Sequence, residues 1–125
     1  MNRFTLLPGA ALAAWLAVSG LALAQEPGRV QEDRLVDPQG MTLYTYDKDS
    51  EVRSNCNREC ADEWPPLIAV ENATGAGDWS LIEREDGTRQ WAYAGKPLYT
   101  YVRDRMPGDT TGDSPLGAWH IARPK

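Results

Sequence analysis

Six residues carry most of the chemistry that this chain's spacing can organise. Tyr44, Tyr46 and Asp49 stand in the stretch Gly-Met-Thr-Leu-Tyr-Thr-Tyr-Asp-Lys-Asp, and Tyr99, Tyr101 and Asp104 stand in Gly-Lys-Pro-Leu-Tyr-Thr-Tyr-Val-Arg-Asp, 55 residues later. Phenol next to carboxylate invites a hydrogen bond from hydroxyl to carboxylate, or a turn capped by the aspartate. It also offers an aromatic face for a sugar or a peptide. Scaffolding is the expectation, because large buried rings need acceptors for their hydroxyls.

Cys56 and Cys60 are a second chemical unit. On a regular helix, residues four apart hold their Cβ atoms about 5–6 Å apart, whereas a disulfide needs about 3.5–4.5 Å. A bond therefore requires that turn to depart from helix. The competing reading is a soft-metal site for Cu(I), with His120 as a third ligand and Met41 or Met106 as a fourth. Metal binding needs reduced thiolates in a compartment that oxidises them, and no complete ligand set is visible. The disulfide is the expectation and copper the alternative, with no cofactor otherwise implied.

Other catalytic patterns are missing. The one histidine, His120, lacks a Gly-x-Ser-x-Gly partner, and there is no His-Glu-x-x-His and no phosphate loop. The carboxylates Asp104, Asp109 and Asp113 do not follow the alternation of a calcium loop and read as turn residues. The expectation is a protein that is not an enzyme.

The elements that must position these residues form a repeat. Tyr44 to Trp64 and Tyr99 to Trp119 are both 20 residues apart, and Arg34 and Arg89 are in register. The units run over about 34–70 and 89–124. Two copies are too few for a solenoid, so the fold class expected is all-β: a small pseudo-two-fold domain of two antiparallel meander units, with one short helical turn near the cysteines. Asp86-Gly87 and Ala94-Gly95 punctuate strands at 79–84, 89–93 and 98–102. Asp37-Pro38-Gln39-Gly40 is the corresponding turn of the first unit. Period two places both tyrosines of each motif on one strand face and Leu and Thr on the other. Ser54 or Asn55 is the expected helix cap, and Pro65-Pro66 the stop. Residues 25–33 read as a frayed start.

Residues 1–24 read as a cleaved signal peptide: Arg3, an apolar run from Ala10 to Leu23, and Ala22-Leu23-Ala24 before the cut. Removing 24 of 125 residues leaves 101, one domain by length. Loss of Arg3 takes 13 basic residues to 12 against 18 acidic, a net charge of −6. Such a chain is poorly suited to phosphate backbones, so nucleic acid is excluded as a partner. No remaining stretch is suited to spanning a membrane. The expected partner is an envelope ligand or protein, and the expected state a monomer. Only 14 of the 101 residues are Leu, Ile, Val or Phe, so Trp64, Trp79, Trp91, Trp119 and the five tyrosines must supply much of the core.

The two motifs, together with Cys-Ala-Asp-Glu-Trp-Pro-Pro-Leu and Gly-Ala-Trp-His-Ile-Ala-Arg-Pro, resemble a family of secreted repeat proteins described as predicted lipoproteins with a Tyr-x-(Phe/Trp/Tyr)-x-x-Asp motif. The resemblance covers essentially all of the mature chain. It implies the repeat, and Tyr44, Tyr46, Asp49, Tyr99, Tyr101 and Asp104 as its motif residues, with no defined activity. Gln25 stands where a lipoprotein carries its lipid-bearing cysteine, so a free periplasmic or secreted protein is expected.

Overall fold

A computed structural model describes residues 27–125; the expected signal peptide lies outside them. Seven short strands and one helical turn follow in order: β1 Arg29–Gln31, β2 Arg34–Val36, β3 Tyr44–Tyr46, α1 Glu59–Glu63, β4 Trp79–Glu83, β5 Arg89–Tyr93, β6 Lys96–Pro97 and β7 Trp119–Ile121. All pairings are antiparallel: β1 with β2, β3 with β7, and β4-β5-β6 as a three-stranded meander. The domain is mostly β with two repeat units about a pseudo-two-fold axis, as the repeat requires.

That axis passes between the two motifs. Tyr44 N–H donates to the Tyr99 carbonyl at 2.8 Å, and Tyr99 N–H returns the bond to Tyr44 at 3.0 Å. Outside this pair the bonds recur at the 55-residue spacing. Ala122 N–H donates to Leu43 O at 2.8 Å and Leu67 N–H to Leu98 O at 2.9 Å. Asp47 N–H donates to Ala118 O at 2.8 Å and Val102 N–H to Glu63 O at 3.1 Å. Each motif segment thus lies between the other motif and the tryptophan-bearing end of the opposite unit.

Two strand expectations need correction. Residues 98–102 are extended but bridge neighbours only at Tyr99. Thr100 N–H donates to Pro65 O at 2.8 Å, and Pro65 has no N–H to return, so the ladder that β3 makes with β7 cannot be completed in the second unit. Residues 29–31, expected to be frayed, form β1. Glu32 and Asp33, at φ 54° and 64°, make the tight left-handed turn that suits a two-residue hairpin. Ala94-Gly95, at φ 50° and 81°, makes the same kind of turn, as its sequence predicts.

The two strand faces build two cores. Leu43 and Leu98 are fully buried with Leu35 and Ala122. Tyr44 and Tyr99, also fully buried, pack with Cys56 and Trp64, and Tyr46, Tyr101 and Trp119 close over them. The aromatic residues do supply the second core.

Cys56 and Cys60 are bonded, with Cα atoms 5.1 Å apart. Only Cys60 belongs to α1, and neither Ser54 nor Asn55 caps it. Arg58 occupies the cap position with no side-chain bond, because the link draws Cys56 out of helical register. Arg58 adopts φ 58°, ψ −121°, a region that favours glycine. Its side chain is 81% exposed and meets Glu85 only at 4.0 Å, so little holds it but the closed loop. Arg58→Gly is therefore expected to stabilise the oxidised protein by about 1 kcal/mol, measured by denaturant melts, with the gain absent after reduction.

Candidate functional site: the exchanged tyrosine motifs

Each motif completes the other. Tyr44, on β3, donates its hydroxyl to Asp104 Oδ2 at 2.7 Å, and Tyr99 donates to Asp49 Oδ2 at 2.5 Å. Tyrosine-to-aspartate bonding is what the motif spacing suggests, but it runs between units, not within one. The reason is geometric. The backbone places Tyr44 and Tyr99 side by side across the axis, so each phenol extends past its partner strand toward the turn that follows it. Those turns match, since Asp49 N–H donates to Tyr46 O and Asp104 N–H to Tyr101 O, both at 3.1 Å.

The second carboxylate oxygen in each pair orders a loop. Asp49 Oδ1 accepts from Asn55 N–H at 2.7 Å. Asp104 Oδ1 accepts from Thr111 N–H at 2.9 Å and from its hydroxyl at 2.6 Å. Asp109 and Asp113, the other members of the acidic loop, likewise accept backbone N–H groups, from Arg105, Met106 and Ile121.

The exchange extends to the rings. Tyr101, Trp64, Trp119 and Tyr46 form one continuous stack, with centroid separations of 4.1, 3.9 and 4.3 Å. The central indoles are parallel to within 2°. Trp64 and Trp119 hold equivalent places, as expected, yet each stacks on the outer tyrosine of the opposite unit. Each meets the buried tyrosine of its own unit edge-on, Tyr44 at 5.5 Å and Tyr99 at 5.0 Å. Both faces of both indoles are therefore covered. Gly112 is needed against this stack, since a Cβ there would lie 2.8 Å from Trp64.

A buried polar chain on the Tyr99 side is not evident from the motifs. The single proton of Tyr99 is committed to Asp49, so the Ser54 hydroxyl, 2.6 Å away, donates to Tyr99. Arg84 Nη1 donates to Ser54 at 3.0 Å and to Gln90 at 2.8 Å, and its Nη2 donates to the Cys56 carbonyl at 2.7 Å. Gln90 in turn donates to Leu98 O at 2.7 Å. The sequence does hold one signal for this: Gln90 occupies the position that Leu35 fills in the first unit. On the Tyr44 side the hydroxyl accepts instead from Gly112 N–H at 3.2 Å.

These surroundings perturb titration. Burial raises the Asp49 pKa against the opposing pull of its hydrogen bonds and of Arg84. Burial and the hydrogen-bonded carboxylate hold Tyr44 and Tyr99 well above the usual tyrosine range. His120 lies elsewhere. It pairs with Asp47 at 2.9 Å, on the opposite face of β7 from Trp119 and Ile121, which pack on the aromatic core with the cysteines. The structure does not bring Cys56, Cys60 and His120 together.

Three measurements follow. Tyr44→Phe and Tyr99→Phe should each cost about 1–3 kcal/mol by removing the phenol that donates to Oδ2 of Asp104, which is buried, or of Asp49, which is half-buried. Double-mutant cycles should couple Tyr44 to Asp104 and Tyr99 to Asp49 by about 0.5–3 kcal/mol, with no coupling of Tyr44 to Asp49. Folded-state pKa values raised at Tyr44 and Tyr99 mean stability that is complete below the ordinary tyrosine pKa and is lost as pH rises through the raised values. Alkaline titration by absorbance should show two phenols ionising only as the protein unfolds.

A family described as a secreted repeat of unknown function matches residues 29–68 and 80–123. No curated protein matches the chain, and no solved structure matches it. The two matched stretches are the two units that exchange tyrosine, aspartate and ring partners across the axis, and the chain belongs to this secreted repeat family.

Proposed function

We propose that the protein is an exported, non-enzymatic binding or structural module, in which the repeated motif holds the domain together. One observation carries this reading: the buried phenols of Tyr44 and Tyr99 and the carboxylates of Asp49 and Asp104 are used on each other and on adjoining loops. None of these four groups is left poised for proton transfer to a substrate. The ring faces of Trp64 and Trp119, which a sugar would need, are used as well. Recognition is then assigned to surfaces outside the motif, with an envelope ligand or protein as partner, a monomer as the working unit and no cofactor.

Export is supported by the apolar run from Ala10 to Leu23 and by the family's description as secreted. Among the described residues, no helix is long and apolar enough to cross a membrane. The copper or thiol-redox alternative would have to open the Cys56–Cys60 bond and recruit a ligand other than His120. Cu(I) titration of the reduced protein against a competing chelator should accordingly show no tight one-to-one site. Tight binding that is lost in Cys56→Ser would replace the present reading with the copper one.

A further inference from the structure

The pseudo-symmetry isolates residues that the fold does not need. On the face of β3 that carries Thr45 and Asp47, two adjoining depressions of about 350 and 260 Å³ share Thr45, Asp47, Ala94 and Lys96. The larger is floored by Leu35, Leu98 and Ala122 and edged by Lys96, His120, Arg123 and Lys125. At the equivalent positions of the other unit, 55 residues earlier or later, stand Met41 for Lys96, Pro65 for His120, Ile68 for Arg123, Val70 for Lys125 and Val102 for Asp47. Around the motif strands the backbone bonds match, Asp47 to Ala118 as Val102 to Glu63 and Ala122 to Leu43 as Leu67 to Leu98. One frame therefore carries a polar groove on one side. On the other it carries exposed apolar residues, with Ile68 47%, Val70 76% and Val102 51% exposed. Packing does not require cations here, since apolar residues occupy the matching sequence positions of the other unit.

The charges in the groove are available. Lys125 meets Asp78 at 3.4 Å, and Arg123 meets the Asp33 carboxylate at 4.0 Å while donating to its carbonyl at 3.0 Å; all four side chains are exposed, so these contacts are readily exchanged. Lys96 is exposed. Asp47, the one carboxylate lining the larger depression, is held by His120 at 2.9 Å. Asp49 and Glu51 lie beyond it in the smaller one. Three basic side chains thus converge over an apolar floor on a chain whose net charge is −5. An apolar floor beside three exposed cations offers burial to a ligand's hydrocarbon part and charge-assisted hydrogen bonds to its oxyanion.

We propose that this groove binds a small oxyanion-bearing ligand, its carboxylate or phosphate group held by Lys96, Arg123 and Lys125. The proposal rests on the binding-module reading and gives that module its recognition site. Aromatic or aliphatic parts of the ligand would lie on Leu35, Leu98 and Ala122, and Asp47 with His120 would close the end toward Glu51.

The test is an NMR titration of the intact protein with succinate and, separately, with inorganic phosphate, following the amides of Ala94, Lys96, His120 and Arg123. Saturable shifts confined to the groove are expected for at least one probe, and the difference between the two identifies the preferred oxyanion. Lys96→Met and Arg123→Ile install residues that the same fold already carries at the equivalent positions, so folding is expected to survive and melting curves check it. Each should weaken binding by about tenfold, while Lys48→Met, a charge change outside the groove, should leave it unchanged. Non-saturating shifts, shifts scattered over the surface, or equal loss in all three variants would overturn the groove. None of those results bears on the structural role of the motif, which the double-mutant cycles decide separately.

Discussion

Two antiparallel tyrosines, hydrogen-bonded to each other through their backbones at the axis, govern the rest of the domain. Once Tyr44 and Tyr99 exchange N–H and C=O groups, their side chains are carried past one another. Each hydroxyl then reaches the aspartate turn of the opposite unit. The buried phenols need acceptors and the buried carboxylates need donors, and neither unit supplies both in reach of itself. The indoles follow the same logic, edge-on to the phenol of their own unit and stacked on the outer ring of the other. Apolar burial alone would not impose this geometry. Directional bonds in a low-dielectric core do, because an unmade one is costly.

Much of this was legible in the chain and some was not, for identifiable reasons. The repeat, its spacing and the assignment of tyrosines to one face and leucines to the other depend only on register, which the sequence states directly. The Ala94-Gly95 turn and the pull of the disulfide away from helix also follow from local geometry. The crossing of Tyr44 to Asp104 does not. Identical motifs make the partner within a unit and the partner across it indistinguishable by type, and only the backbone pairing at the axis separates them. Arg84 stayed hidden because an arginine at the end of a strand reads as solvated. Its burial depends on Gln90, Ser54 and the Cys56 carbonyl arriving together. β1 was missed because Glu32-Asp33 is a less familiar turn pair than one containing glycine.

Departures from symmetry divide the domain into working parts. On one side a disulfide, Arg84 and Ser54 brace Tyr99; on the other Thr111 and Gly112 brace Tyr44. Unlike chemistry in like positions is what a duplicated frame permits: one copy of a position can serve packing while the other is released for recognition. The contrast between the basic side chains of the groove and the apolar residues at the matching positions is such a departure on the surface.

The exchange of partners also has a consequence for descent. The carboxylate that Tyr44 needs is encoded 60 residues downstream, and the one that Tyr99 needs 50 residues upstream. A substitution in either motif therefore removes a partner from the other, and the physical constraint acts on the two copies as a couple. A chain with an odd number of such units would leave one motif seeking its complement in another molecule, so duplication in this lineage is expected to proceed by pairs.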